Sequence, residues 1–236
     1  MSMPIFDRAA RALSAGALAL GLAACEVAPD GTVAPTRGFL SGLVGPEAGA
    51  GLEAMSDPNG GTGVEPPAAV ELARGDIVVG GLEGYCIDPR SLRTSRQGAF
   101  AALGPCARIV DAEAPPVVEP LLLTVTVGPR RRGIDLPSAE TFARLTGAPA
   151  RPAEAPEGFV LVRLDTGGDQ ALEDGDPRHW RGVFQQNGRL VSLALYAPRD
   201  SVLAGDQGQR LMIEVYESIS TLSDRSNAAD AAGSGG

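Results

Sequence analysis

The chain has 236 residues, a formal charge of −9 and only 4% aromatic residues, a balance that excludes nucleic acid as partner, because phosphate neutralisation needs a basic footprint and base stacking needs aromatic platforms. All 20 basic residues are arginine and His179 is the one histidine. Schiff-base chemistry, a P-loop lysine, a Ser-Lys dyad and multi-histidine zinc sites are therefore all ruled out.

From the N-terminus, Met1 to Arg11 carries two arginines, Arg8 and Arg11, and Ala12 to Leu22 is an apolar run. That run has the length of a signal-peptide core and is too short to cross a bilayer as a helix. It ends in Leu22-Ala23-Ala24-Cys25. This motif resembles the lipobox of bacterial lipoproteins. The resemblance implies cleavage before Cys25 and lipidation of that cysteine, leaving a membrane-anchored protein of the cell envelope that faces the periplasm. Each buried CH₂ of such a chain contributes about 0.8 kcal/mol, and two or more chains hold a protein stably. In enteric bacteria an aspartate after the cysteine favours the inner membrane; Glu26 stands here, which prefers the outer one.

An exported chain also explains the other two cysteines. Cys86 and Cys106 are an even pair in an oxidising compartment, and a disulfide between them is expected. Their spacing is not the C-x-x-C of catalytic dithiols. Two thiols with a distant His179 make no convincing zinc site either.

Residues 25–70 are rich in Gly, Pro and Ala, with Gly60-Gly61-Thr62-Gly63 and Pro66-Pro67. They read as a disordered tether with a span of roughly 40 Å. One domain, 71–222, follows, and 223–236 reads as a disordered tail. Within the domain, Asp76 to Val79 predicts a short strand. Asp88-Pro89 predicts the cap of a helical turn through Leu92. Phe100 to Leu103 fits either strand or helix. Leu121 to Val127 predicts a strand stopped by Gly128-Pro129. Ser138 and Gly147 bracket a helix with Phe142 and Leu145 on its apolar stripe, and Phe159 to Leu164 predicts another strand.

Trp180 to Tyr196 gives the clearest pattern. Asn187-Gly188 suits a two-residue type I′ turn. The register it sets places Phe184 opposite Val191, Gly182 opposite Leu193 and Trp180 opposite Leu195. Trp180, Phe184, Val191, Leu193 and Leu195 then share one face, with Arg181, Gln185 and Ser192 on the other. From Asp206 to Leu222, Leu211, Met212, Val215, Ile219 and Leu222 recur at helical spacing. That stripe needs an apolar partner, which the hairpin offers, with Gly182 allowing close approach. The expected fold is α+β: an antiparallel sheet with helices packed on one face.

The hairpin with Trp180, Asn187-Gly188, Val191 and Leu193, followed by the terminal helix, resembles the Mog1/PsbP-like proteins. Tyr85-Cys86-Ile87-Asp88 and Gly104-Pro105-Cys106-Ala107 resemble a cysteine pair of uncharacterised bacterial envelope proteins. Neither resemblance implies a catalytic residue.

Four groups are candidates for chemistry. His179 is the only candidate base near neutral pH, but no G-x-S-x-G elbow accompanies it. Asp169, Glu173, Asp174 and Asp176 crowd a glycine-rich loop that could hold calcium, though without EF-hand spacing. Arg130-Arg131-Arg132 could hold an anion or a lipid headgroup. Gly80-Gly81 with Gly84 follows a strand but lacks the G-x-G order of a nucleotide loop. The expected function is therefore a non-catalytic envelope lipoprotein, held to the membrane through lipid on Cys25, that binds or scaffolds an envelope protein partner without a cofactor. The alternatives are a periplasmic hydrolase using His179 or the Asp169 to Asp176 loop, and a carrier of apolar ligands.

Overall fold

A computed structural model of the chain describes residues 65–110 and 117–233. The segment read as a signal peptide, Cys25 and the expected tether as far as Val64 lie outside the described residues. The first element among the described residues is a two-stranded ribbon, β1 (Ala69–Leu72) and β2 (Ile77–Gly80). Its turn is tight enough to place Ala73, Arg74 and Gly75 at φ of 56°, 68° and 85°. The domain therefore begins slightly before the expected boundary: β1 takes in Ala69 and Val70, which read as tether.

An eight-stranded antiparallel sheet follows. It comprises β3 (Tyr85–Ile87), β4 (Arg93–Thr94), β5 (Ala99–Pro105), β6 (Leu122–Arg130), β7 (Ala150–Ala153), β8 (Phe159–Leu164), β9 (His179–Gln186) and β10 (Arg189–Tyr196). The order across it is β3-β5-β6-β10-β9-β8-β7, with β4 beside β5. Three helices complete the domain: α1 (Cys106–Ile109), α2 (Ala139–Leu145) and α3 (Asp206–Gly233). The α+β class and the antiparallel sheet are as expected.

The β9–β10 hairpin takes the register set by its turn. Gln186 pairs with Arg189, Phe184 with Val191, Gly182 with Leu193 and Trp180 with Leu195. Asn187 and Gly188 both adopt positive φ, 50° and 73°, as a type I′ turn requires. The Phe100 segment resolves as strand, within β5. Strand β6 continues past Gly128-Pro129 to Arg130. The pairing with β10 shifts there, because Arg189 faces Arg130 while Val191 faces Val127. Two residues of β6, including the proline, thus oppose one of β10. Such a bulge accommodates a residue that cannot donate to the ladder.

The long helix α3 lies against β2, β9 and β10. Met212, Val215 and Ile219 bury their side chains in one core with Trp180, Phe184, Leu193, Leu195, Ile77 and Val79. Gly182 serves this packing differently from expectation. A Cβ there would lie 2.4 Å from a ring carbon of Phe159 and 3.3 Å from the Met212 methyl. The glycine chiefly makes room for a neighbouring aromatic ring and only secondarily for the helix. Phe159 stacks on Tyr216 of α3 at 4.7 Å between centroids and meets Phe184 edge-on at 5.9 Å.

The short helix α2 covers the opposite face. Phe142 and Ala143 bury against Val162, Leu164 and Val183, so the face shared by Arg181, Gln185 and Ser192 is apolar at that edge. Ser138 caps α2 by accepting from the Thr141 N–H at 3.3 Å, and Gly147 follows its end at φ 70°. Helix α3 runs to Gly233 rather than stopping at Leu222, so most of the expected disordered tail is helical. One margin of the sheet holds β3 and the two-residue β4, and the other holds β7, which carries Pro152 and Arg151; Arg151 pairs with Asp165 at 3.2 Å.

Candidate functional site

The end of the sheet where β5 stops and β6 starts gathers most of the residues singled out above. Cys86 of β3 and Cys106, the first residue of α1, form a disulfide with Cα atoms 4.8 Å apart. Because Cys86 pairs with Gly104 in the ladder, the bridge fastens a three-residue margin strand to the strand beside it. Asp88 then starts a single 3₁₀ turn, Pro89–Ser91, by accepting from the Arg90 N–H at 2.9 Å. The expected capped turn is present. Ser91, fully buried, receives the Ala102 N–H at 2.8 Å and donates to the Asp88 carbonyl at 2.7 Å.

Beside the disulfide opens a cleft of about 330 Å³. Arg90 stands on one side with Pro105 and Arg108. Leu172, Glu173 and Asp174 line the other side, and the nearly buried Ile109, Leu121 and Leu122 close the cleft between them. The second wall belongs to the loop between β8 and β9. Asp174 sits at φ 55°, and its carbonyl accepts the Arg199 N–H at 2.9 Å.

The four carboxylates of that loop part company. Asp176 is turned inward and buried. It accepts from Arg178 Nε at 2.9 Å and Nη2 at 2.7 Å, and from the backbone N–H groups of Arg178 (2.9 Å) and Asp200 (3.2 Å). The Arg178 hydrogen bonds, against the opposing effect of burial, hold its pKa down at about 2. Glu173 and Asp174 face the cleft, and Asp169 lies on the 3₁₀ turn Gly168–Gln170. Among the described residues no group of three or more His, Cys, Asp or Glu side chains could hold a metal ion. Calcium binding on this loop thus has no ligand set, because the central carboxylate is spent on an arginine.

His179 opens β9 at 3% exposure. Its ring stacks on Tyr196, 5.1 Å between centroids, and Nδ1 lies 3.4 Å from the Pro177 carbonyl. Nε2 is buried without a partner. Burial first, and then the nearby Arg181 charge, push its pKa down to about 4. A neutral, weakly basic imidazole closed off from solvent is poorly placed to take a proton from a substrate. No hydroxyl among the described residues hydrogen-bonds to it.

Arg130, Arg131 and Arg132 lie at the far end of β6. Arg130 is an ion-pair partner of Asp76, while Arg131 and Arg132 are exposed. Asp76 is the group that sequence reasoning missed. It also receives Arg189 Nε at 2.6 Å. Arg189 in turn donates to the carbonyls of Gly128 (3.0 Å) and Ala73 (3.1 Å), and Asn187 donates to the Asp76 carbonyl at 2.8 Å. Burial would raise the Asp76 pKa, but the two arginines outweigh it and the net shift is downward. The triple-arginine turn is thereby split: its first member ties the β1–β2 ribbon to the sheet.

No protein-family model, curated protein or solved structure matches the chain. The candidate site therefore rests on its own residues. The signal that could have found its arginines was weak: Arg90 follows a visible cap, but Arg108 has no motif around it.

Proposed function

We propose that the chain is a lipid-anchored protein of the bacterial envelope whose α+β domain binds a partner there and carries out no chemistry of its own. The observation that carries this reading is the Cys86–Cys106 bridge. Such bridges persist in oxidising compartments. With both of these thiols consumed, Cys25 is the remaining one of the three cysteines, and it stands at the end of the lipobox-like Leu22-Ala23-Ala24. The withdrawal of His179 and Asp176 into the structure supports a binding role over a hydrolytic one. The space between the sheet and α3, where a carrier would hold an apolar ligand, is filled by Phe159, Phe184, Met212 and Tyr216.

The test is metabolic labelling of the expressed full chain with an alkyne fatty acid, followed by fractionation and crosslinking in intact cells. The native chain should take up label and sediment with membranes, and Cys25→Ser should do neither. Crosslinking should then trap a discrete partner. Unlabelled native protein in the cytosol, with free thiols at Cys86 and Cys106, would overturn the proposal.

A further inference from the structure

The cleft beside the disulfide is lined by charged side chains of both signs. Arg90 is pinned through Nε to Oδ1 of the buried Asp88 at 3.2 Å, which leaves its terminal guanidinium nitrogens to the cleft. Arg108, Glu173 and Asp174 have no side-chain hydrogen bond or ion pair among the described residues, yet all three line it. The two signs stand on opposite walls. Arg90 and Arg108 flank the end of β5, whereas Glu173 and Asp174 belong to the loop tied to the segment after β10 through Gly175 and Pro198. Strand β6 lies between β5 and β10, so two strand spacings, roughly 10 Å, separate the walls.

We infer that this cleft binds a short peptide with both ends free, its carboxylate on Arg90 and Arg108 and its ammonium on Glu173 and Asp174. An extended chain advances about 3.3–3.6 Å per residue, so a tripeptide separates its terminal charges by roughly the distance between the walls. Ile109, Leu121 and Leu122 line the cleft but expose at most 6% of their surface, so the charged ends of the peptide and not its side chains carry the binding. A volume of about 330 Å³ falls at the small end of ligand sites and is too small for a helix. A ligand with one charge would leave the opposite wall unpaired, so both ends are needed for full affinity. This inference rests on reading the domain as a binding module and is independent of the lipid anchor.

The experiment is an NMR titration of trialanine into the ¹⁵N-labelled full chain in detergent micelles. Saturable shifts are expected at the amides of Gly104, Arg108 and Glu173, with the β9–β10 turn unmoved. N-acetyl-trialanine and trialanine amide should each bind about tenfold more weakly, the loss of one charge-assisted contact. Arg108→Ala should reduce discrimination against the amide, leaving the part carried by Arg90, and Glu173→Gln with Asp174→Asn should abolish discrimination against the acetylated peptide. These side chains are exposed, so the fold should survive the changes, and unshifted hairpin amides would verify that it does. Absence of a saturable shift with trialanine, or equal affinity for the capped peptides, would overturn the inference. Either result would leave the fatty-acid labelling and the crosslinked partner untouched, so the two proposals fail separately.

Discussion

An imidazole sealed beneath a tyrosine ring costs far more when it must charge than while it stays neutral. His179 has its pKa pushed from 6.5 down to about 4. As pH falls, the unfolded chain takes up its proton near 6.5 and the folded chain does so only near 4. The contribution of this residue is therefore full above pH 6.5 and shrinks toward pH 4, by up to about 3 kcal/mol. The urea midpoint of the native protein should fall across that window, and His179→Phe, which keeps the contact with Tyr196, should flatten the dependence. An equally steep profile in the variant would assign it to another group. Further acidification should remove the Asp176 contribution, which is present above the ordinary carboxylate pKa of 3.8 and lost as pH falls toward about 2. Gly182 poses a purely steric question. A methyl group there would meet the Phe159 ring at 2.4 and 2.5 Å, and that ring is held by Phe184 and Tyr216. Gly182→Ala should cost about 1–3 kcal/mol in denaturant unfolding; an unchanged midpoint would show that the ring can retreat.

Strand β3 is three residues long, and its attachment depends on the bridge to Cys106. Closing a loop with a sequence separation of 20 restricts the unfolded chain by about 3 kcal/mol in the entropic description. Cys86→Ser with Cys106→Ser should lower stability by that order, with hydrogen exchange accelerated first at Tyr85 and Ile87. Helix α3 is fastened through Ser223, fully buried, whose hydroxyl accepts the Val78 N–H of β2 at 2.9 Å. Ser223→Ala leaves that N–H unpaired and should cost about 1–3 kcal/mol, whereas truncation after Asn227 removes mostly exposed residues and should change the unfolding midpoint little. The β9–β10 hairpin was readable in the sequence because turn chemistry and hydrophobic alternation agreed independently. Strand β1 was not, since Ala69-Val70-Glu71-Leu72 has little strand character and follows two prolines; it forms because β2 supplies its pairing and Leu72 enters the core. The last turns of α3 were unreadable for another reason. Asp224 to Ala232 has no apolar stripe, but its alanines propagate a helix already nucleated by the packed turns before them.

Asp76 joins three parts of the chain that are remote in sequence: the ribbon turn, the end of β6 and the β9–β10 turn. The Arg189 side chain is as buried as that of Asp76, both at 11% exposure, so removing the carboxylate strands a guanidinium that solvent cannot fully reach. Asp76→Ala should destabilise the protein by about 3 kcal/mol and release the ribbon, seen as faster exchange at Ile77 and Val79. Undiminished protection there would mean that the apolar contacts of β2 suffice. The candidate site shows the same dependence on topology. The acidic loop was visible as a cluster, but its division into the inward Asp176 and the outward Glu173 and Asp174 follows from where Arg178 and Asp200 fall. The opposite wall comes from Arg90 and Arg108, which only the order β5-β6-β10 brings across from that loop.

The two margins of the sheet have a consequence for many copies kept side by side. A bare strand invites a neighbouring molecule to zip onto it, and the hazard grows with local crowding. On β7 a proline lacks the donor such zipping would use and an arginine puts charge beside it; at the other margin a covalent staple holds only a stub of strand. Molecules at high concentration therefore have little bare edge on which to build a continuous sheet.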